Sequence, residues 1–146
     1  MAAASNFLEN QLVDHILRGQ TFSPTVPASF WVALYTAAPT DAGGGTEVTG
    51  NGYARVAVAR SLATWAGTQN PGTTGISTGI SGVTSNNIVI TFPTPTGTWG
   101  TVTHFGLLDA VTGGNLILHG ALNVAQIINT GNTVSFAPGQ LVITIA

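Results

Sequence analysis

The sequence has no cysteine and no lysine, and its 146 residues carry three basic and five acidic side chains. Without cysteine there are no disulfides and no thiolate metal sites. A net charge of −2 with three arginines lacks the basic footprint that direct nucleic-acid binding needs. Charged residues make up 5% of the chain, against roughly 25% in an ordinary soluble domain. Long apolar runs are missing too. Mean hydropathy is +0.37, but a membrane-spanning helix needs about 18 consecutive apolar residues, and Gly, Thr or Asn interrupts every candidate run. The basic start of a secretory signal is absent, the first positive residue being Arg18. Coiled-coil heptads and fibrous repeats are absent as well. The expectation is a protein that neither enters a membrane nor binds nucleic acid directly.

What remains is a neutral, partly apolar surface with little self-repulsion. Such a surface belongs either to a soluble β-protein rich in Thr, Ser and Asn or to a subunit buried against neighbours. We take shared burial as the expectation, with a homo-oligomer and first a dimer, because two-fold pairing is the commonest closed arrangement.

Residues 1–146 read as a single domain. One helix is expected over about residues 5–18. Ser5 or Asn6 starts it, and Asn6 as N-cap would place Glu9 at the third helical position, a capping-box arrangement. Leu8, Leu12 and Ile16 form one stripe with Phe7, Val13 and Leu17 beside it, Asp14 and Arg18 pair at i,i+4, and Gly19 suits the helix end. Pro24 and Pro27 then carry an extended connector. The centre of the chain is residues 30–58. Residues 30–36 are apolar and aromatic on both faces and read as a doubly buried strand. Pro39 and the triglycine of Gly43, Gly44 and Gly45 form a hinge, and a strand resumes at 53–58. Residues 67–85, rich in Gly and Thr, read as a long exposed loop, mobile or pinned by a partner. Further short strands are expected at 88–92, 102–108, 116–122, 125–128, 133–136 and 141–145, with a hairpin turn at Gly113-Gly114-Asn115. The pattern is mostly β: an antiparallel β-sandwich, jelly-roll-like, with one N-terminal helix.

Candidate chemistry is sparse. Gly75-Ile76-Ser77-Thr78-Gly79 matches the G-x-S-x-G elbow, with Asp109 and His119 in hydrolase order, but the motif needs a strand before it and a helix after it. It lies in a Gly/Thr-rich loop, so no enzyme and no catalytic residue is expected. His104 and His119 lie on two arms of one hairpin. Closing the turn between Asp109 and Asn115 sets His119 opposite Phe105, with the two imidazoles on opposite faces. They read as structural, and no metal or cofactor is expected. Asp41 and Glu47 read as a solvated hinge rather than a calcium loop. Of Trp31, Trp65 and Trp99, the last sits among Gly and Thr and is the candidate exposed anchor. Arg55 and Arg60 are edge charges or contacts to a neighbour. With the helical Phe7, Leu8 and Leu12, whose apolar face must dock on the sheet or on another subunit, they make up the candidate interface.

Residues 31–58, the segment Gly97-Thr98-Trp99-Gly100-Thr101-Val102-Thr103-His104-Phe105-Gly106, Gly113-Gly114-Asn115-Leu116, the opening at 6–17 and the C-terminal 133–145 together resemble a family of small tailed-phage virion proteins, often labelled tail fibre proteins. The resemblance covers most of the chain, with 67–85 longer and richer in Gly and Thr than expected. It implies a virion structural protein, assembled in the host cytoplasm, whose partners are other phage structural proteins. A capsid decoration or cement protein bridging the major capsid protein is placed first. A fibre would need a shaft or a trimeric repeat, and a small sandwich with a docking helix suits lattice bridging. The alternative is a tail fibre or tail adaptor component involved in host attachment.

Overall fold

The computed structural model describes residues 2–22 and 25–145; Pro24, expected in the connector, lies outside them. In chain order its elements are β1 (Ala2–Ala4), α1 (Asn6–Leu17), β2 (Ser29–Ala37), β3 (Thr46–Glu47), β4 (Val56–Ala59), β5 (Val83–Ser85), β6 (Ile90–Thr91), β7 (Gly100–Leu108), β8 (Leu116–Ile128), β9 (Ser135–Phe136) and β10 (Val142–Thr144). The main sheet runs β1-β8-β7-β2-β3, with β4 also on β2, and every pairing is antiparallel. Two ribbons, β5 with β10 and β6 with β9, form a second layer.

β2 organises the sheet as its composition suggested. Val32 and Leu34 face the second layer, Ala33 and Tyr35 face away, and all four are buried. The main core joins Val32, Leu34, Phe105 and Leu107 of the sheet to Ile90 and Leu141 of the second layer. Full burial of each such side chain contributes about 1.5–3 kcal/mol. Mostly β and antiparallel, the molecule is sandwich-like. Its second layer is two separate ribbons rather than one continuous sheet.

The helix begins one residue earlier than the capping-box reading allowed. Ser5 is the N-cap, and its Oγ accepts from Leu8 N at 3.3 Å, so Glu9 falls one position beyond the reciprocal site. Ser5 N also donates to Ile117 O at 3.0 Å, and its hydroxyl donates to Leu116 O, stitching the cap to β8. At the other end Gly19 takes φ +67°, and Arg18 N and Gln20 N both return to Asp14 O. Only the first turn of the apolar stripe docks. Phe7 and Leu8 pack on the core, whereas Ile16 and Leu17 are 70% and 77% exposed.

Three further readings change. The strand expected from Tyr53 begins at Val56, and the segments 116–122 and 125–128 are one continuous β8. The loop expected over 67–85 ends in β5, and it is pinned by its own side chains. Thr68 N donates to Ser77 Oγ at 3.2 Å, Gln69 Nε2 to Ile76 O at 3.1 Å, and Gly72 N to Asn87 Oδ1 at 3.0 Å.

Buried Asn86 fastens the second layer. Its amide donates to Ile88 O and Ala137 O, both at 2.8 Å, and its Oδ1 accepts from Leu141 N at 2.8 Å. Asn86→Ala leaves the buried Leu141 N and two part-buried carbonyls without this partner, a buried unpaired group costing about 1–3 kcal/mol. We expect a loss of about 2–4 kcal/mol in urea unfolding and a Tm lower by roughly 5–10 °C. A Tm within a degree of the parent would show that this staple is dispensable.

Candidate functional site

The triglycine hinge folds back over the outer face of the main sheet. A Cβ on Gly45 would lie 2.7 Å from Pro39 N, so only glycine allows that approach. Of the two carboxylates of this stretch, Asp41 is solvated as expected, its side chain 60% exposed, but Glu47 is not. Glu47 takes a two-pronged bond from Arg55, Nε to Oε1 at 2.8 Å and Nη2 to Oε2 at 2.7 Å. Arg55 Nη1 donates to Ala110 O and Gly113 O, each at 2.8 Å, tying in the tip of the β7–β8 hairpin. The Glu47 bonds raise the Arg55 pKa still further, so the guanidinium is a fixed charge. Its side chain is 9% exposed, which makes it an internal clamp rather than a contact to a neighbour.

Tyr53 completes the clamp. Its hydroxyl donates to Glu47 Oε1 at 3.1 Å and accepts from Leu34 N at 2.9 Å. That N–H lies where β2 changes partner, from β4 at Ser29–Val32 to β3 at Tyr35. The phenol thus fills the gap in the ladder. Burial pushes the Tyr53 pKa far above the usual phenol range, and Glu47 adds to the shift against the Leu34 bond. Tyr35 is raised too, first by burial and then by Glu47.

Trp99 is not an exposed anchor. It is 5% exposed, its Nε1 donates to Asn51 O at 3.0 Å, and it meets Tyr53 edge-on at 5.2 Å. Gly and Thr around it form the turn it closes. Among the candidate interface residues Arg60 is exposed, without a side-chain partner among the described residues, and Leu12 is half-buried. Phe7 and Leu8 have their partners within the chain.

The hydrolase constellation does not assemble in its required setting. Ser77 is exposed in the loop, Asp109 accepts from Asn115 N and Nδ2 at 2.6 and 2.7 Å, and His119 Nε2 bonds Asp41 Oδ1 at 3.0 Å. The hairpin register also differs from expectation. Leu108 faces Leu116 as the turn predicts, but Leu107 faces Leu118, so a bulge at Ile117 shifts the pairing by one as far as His104 and Ala121. His119 therefore lies opposite Gly106, on the same face as His104. His104 bonds Thr103 Oγ1 at 2.8 Å instead. No group of three or more His, Asp or Glu side chains converges among the described residues.

The surface offers apolar contact. On β8, only Leu118–Gly120 are covered by β1. Beyond them Val124 and Ile127 are each 67% exposed. Beside this stretch a groove of about 820 Å³ runs between β8 and the β9–β10 segment, floored by Phe105, Leu122, Val134 and Phe136. No Asp, Glu, Lys or Arg follows Asp109 in the sequence, so the charges that usually guard a strand edge are missing here. Sequence reasoning missed this site; the uncharged C-terminal quarter was its one legible signal.

The molecule is a sandwich-like antiparallel β-protein with an exposed apolar stretch on β8. A family model described as podophage GP4 fiber I protein gp80 matches residues 3–144. The chain belongs to that family, and so to phage virion structural proteins of the fibre type. No curated protein matches it.

The two tyrosines give this geometry a pH signature. Both hold their protons more tightly folded than unfolded, so their contribution is complete below the unfolded phenol pKa of about 10 and falls as pH rises above it. We expect tyrosinate absorbance to stay low in the native protein above pH 10 and to rise together with unfolding. Ionisation of Tyr53 near pH 10 with far-UV circular dichroism unchanged would contradict the clamp.

Proposed function

We propose that this protein is a component of the phage tail fibre, joined to neighbouring subunits along the uncharged side of its sandwich and serving host attachment through that assembly. The observation that supports it is the fibre-family match over residues 3–144, together with a strand edge that carries exposed Val124 and Ile127 and no guarding charge. Such an edge pairs readily with another chain, and Val124, Ile127 and the adjoining groove bring apolar packing to the contact. A homodimer is the first expectation. The exposed Arg60 and the outer end of α1, from Leu12 to Leu17, are secondary contacts for other virion proteins.

A second reading, a decoration protein cementing the major capsid protein, draws on the same neutral surface. Apolar attachment serves a lattice as well as a tail. Copy number separates the two, hundreds per virion for the head and a few to some tens for the tail.

The purified protein should sediment as a dimer or larger at tens of micromolar, and Val124→Lys should shift it towards monomer without lowering Tm, since the side chain is mostly exposed. A monomeric parent protein at that concentration would count against the edge as a joint. In phage, particles lacking the protein should fail to adsorb to cells while their heads keep DNA at the normal temperature. Heads that leak DNA early, with adsorption intact, would replace the tail reading with the cement reading.

A further inference from the structure

We propose that the pocket enclosed by the start of α1, the triglycine hinge and the β7–β8 hairpin tip binds one neutral sugar ring, either free or at the end of a longer glycan. This goes beyond the fibre reading and does not rest on it. The pocket holds about 430 Å³, the scale of small-ligand sites. Tyr35, Leu108 and Leu116 contribute from the outer face of the sheet, and Phe7 and the exposed backbone of Gly43 and Gly44 complete the lining.

Tyr35 carries the inference. The residue is 5% exposed, it lines the pocket, and its hydroxyl has no hydrogen-bond partner among the described residues. Its neighbour Tyr53, by contrast, has two. Gly106 makes room for the Tyr35 ring, since a Cβ there would meet it at 2.8 Å. Burial keeps this phenol protonated, so it remains a donor. The hydroxyl opens to the pocket rather than being sealed in the core, and a ligand oxygen there can accept its hydrogen bond. Also lining the pocket, Asp41 uses Oδ1 for His119 and keeps Oδ2 as an acceptor, while Asn6 adds an exposed amide.

The chemistry selects the ligand class. A donor, an acceptor, an amide and an aromatic ring match a molecule with several hydroxyls and an apolar C–H face. Anions are poorly served. The one guanidinium in the lining is committed to Glu47, Ala110 and Gly113, and Asp41 adds negative charge. A purely apolar ligand would leave Tyr35 unpaired.

The test uses the full chain with glucose, galactose, mannose and N-acetylglucosamine, their methyl glycosides, and maltose as the longer probe, read by saturation-transfer NMR and calorimetry. We expect saturable binding of at least one, with a Kd of about 0.1–10 mM. Tyr35→Phe should weaken it at least about fivefold while Tm stays equal or rises, because a hydroxyl without a partner adds no stability. Asn6→Ala, at an exposed position, should weaken it about threefold and keeps the test open should the first variant fold poorly. Methyl glycosides or maltose that bind as well as free sugar indicate a glycan end as the natural ligand, and binding lost on capping the anomeric oxygen indicates a free sugar. No saturable binding up to about 50 mM, or binding that both variants leave intact, overturns the proposal.

Discussion

The paired Glu47 and Arg55 side chains hold together parts of the chain that have no other reason to meet. The pair joins β3 to the approach of β4, and through Ala110 and Gly113 it reaches the tip of the β7–β8 hairpin. Tyr53 extends it to the backbone of β2. Desolvating two ions is costly, and here the cost is offset because nearly every donor on the guanidinium has an acceptor in good geometry. Removing one partner would strand the other, mostly out of water, and with Glu47 itself 23% exposed the penalty falls somewhat below the about 3–5 kcal/mol of a fully buried pair. Replacing both by apolar groups would remove the charge problem but leave the two hairpin carbonyls and Tyr53 unanswered. The clamp therefore specifies an arrangement of loops more than it adds net stability.

Elsewhere neutral polar side chains perform the same task one element at a time. Asn86 fixes the β5–β10 ribbon, Ser5 fixes the helix to β8, and Trp99 and Asn51 close the turn before β7. Each satisfies backbone groups that short strands leave open. With β6 and β9 only two residues long and β5 and β10 only three, ladder hydrogen bonds alone hold little of the second layer, and such side-chain staples substitute for it.

What could be read from the sequence followed from periodicity. β2, α1 and the β7–β8 hairpin all announce themselves by apolar spacing and turn residues. β1 did not, because three alanines have no strand signature, and their pairing with Gly120, His119 and Leu118 is purely tertiary. β5 was hidden inside a Gly/Thr-rich segment whose order comes from side-chain bonds between residues far apart in sequence. The His119 register was right at Leu108 and Leu116 and wrong just beyond them, since one extra residue at Ile117 reverses the side chains from Leu118 to Ala121. Trp99 was misplaced because glycine and threonine neighbours suggest exposure, whereas here they form the turn that buries it. The contact surface was the least legible, since a free edge exists only once β1 is seen to stop short.

The distribution of charge links that interior to the surface. Asp14, Arg18, Asp41, Glu47, Arg55 and Asp109 all bond within the chain, which leaves Glu9 and Arg60 without side-chain partners among the described residues. Ionic groups that guard strand edges in most β-proteins are thus committed internally. Val124 and Ile127 on β8, and Ile76 and Ile80 on the 67–82 loop, face outward beside neutral neighbours. A surface of this kind gains little from long-range steering and loses little to salt. Its associations must rest on apolar packing and backbone pairing, which act only at contact and reward repetition. An assembly joined through such a surface would draw its strength from many copies meeting at fixed geometry, which the rigid internal clamp and the uncharged exterior would both serve.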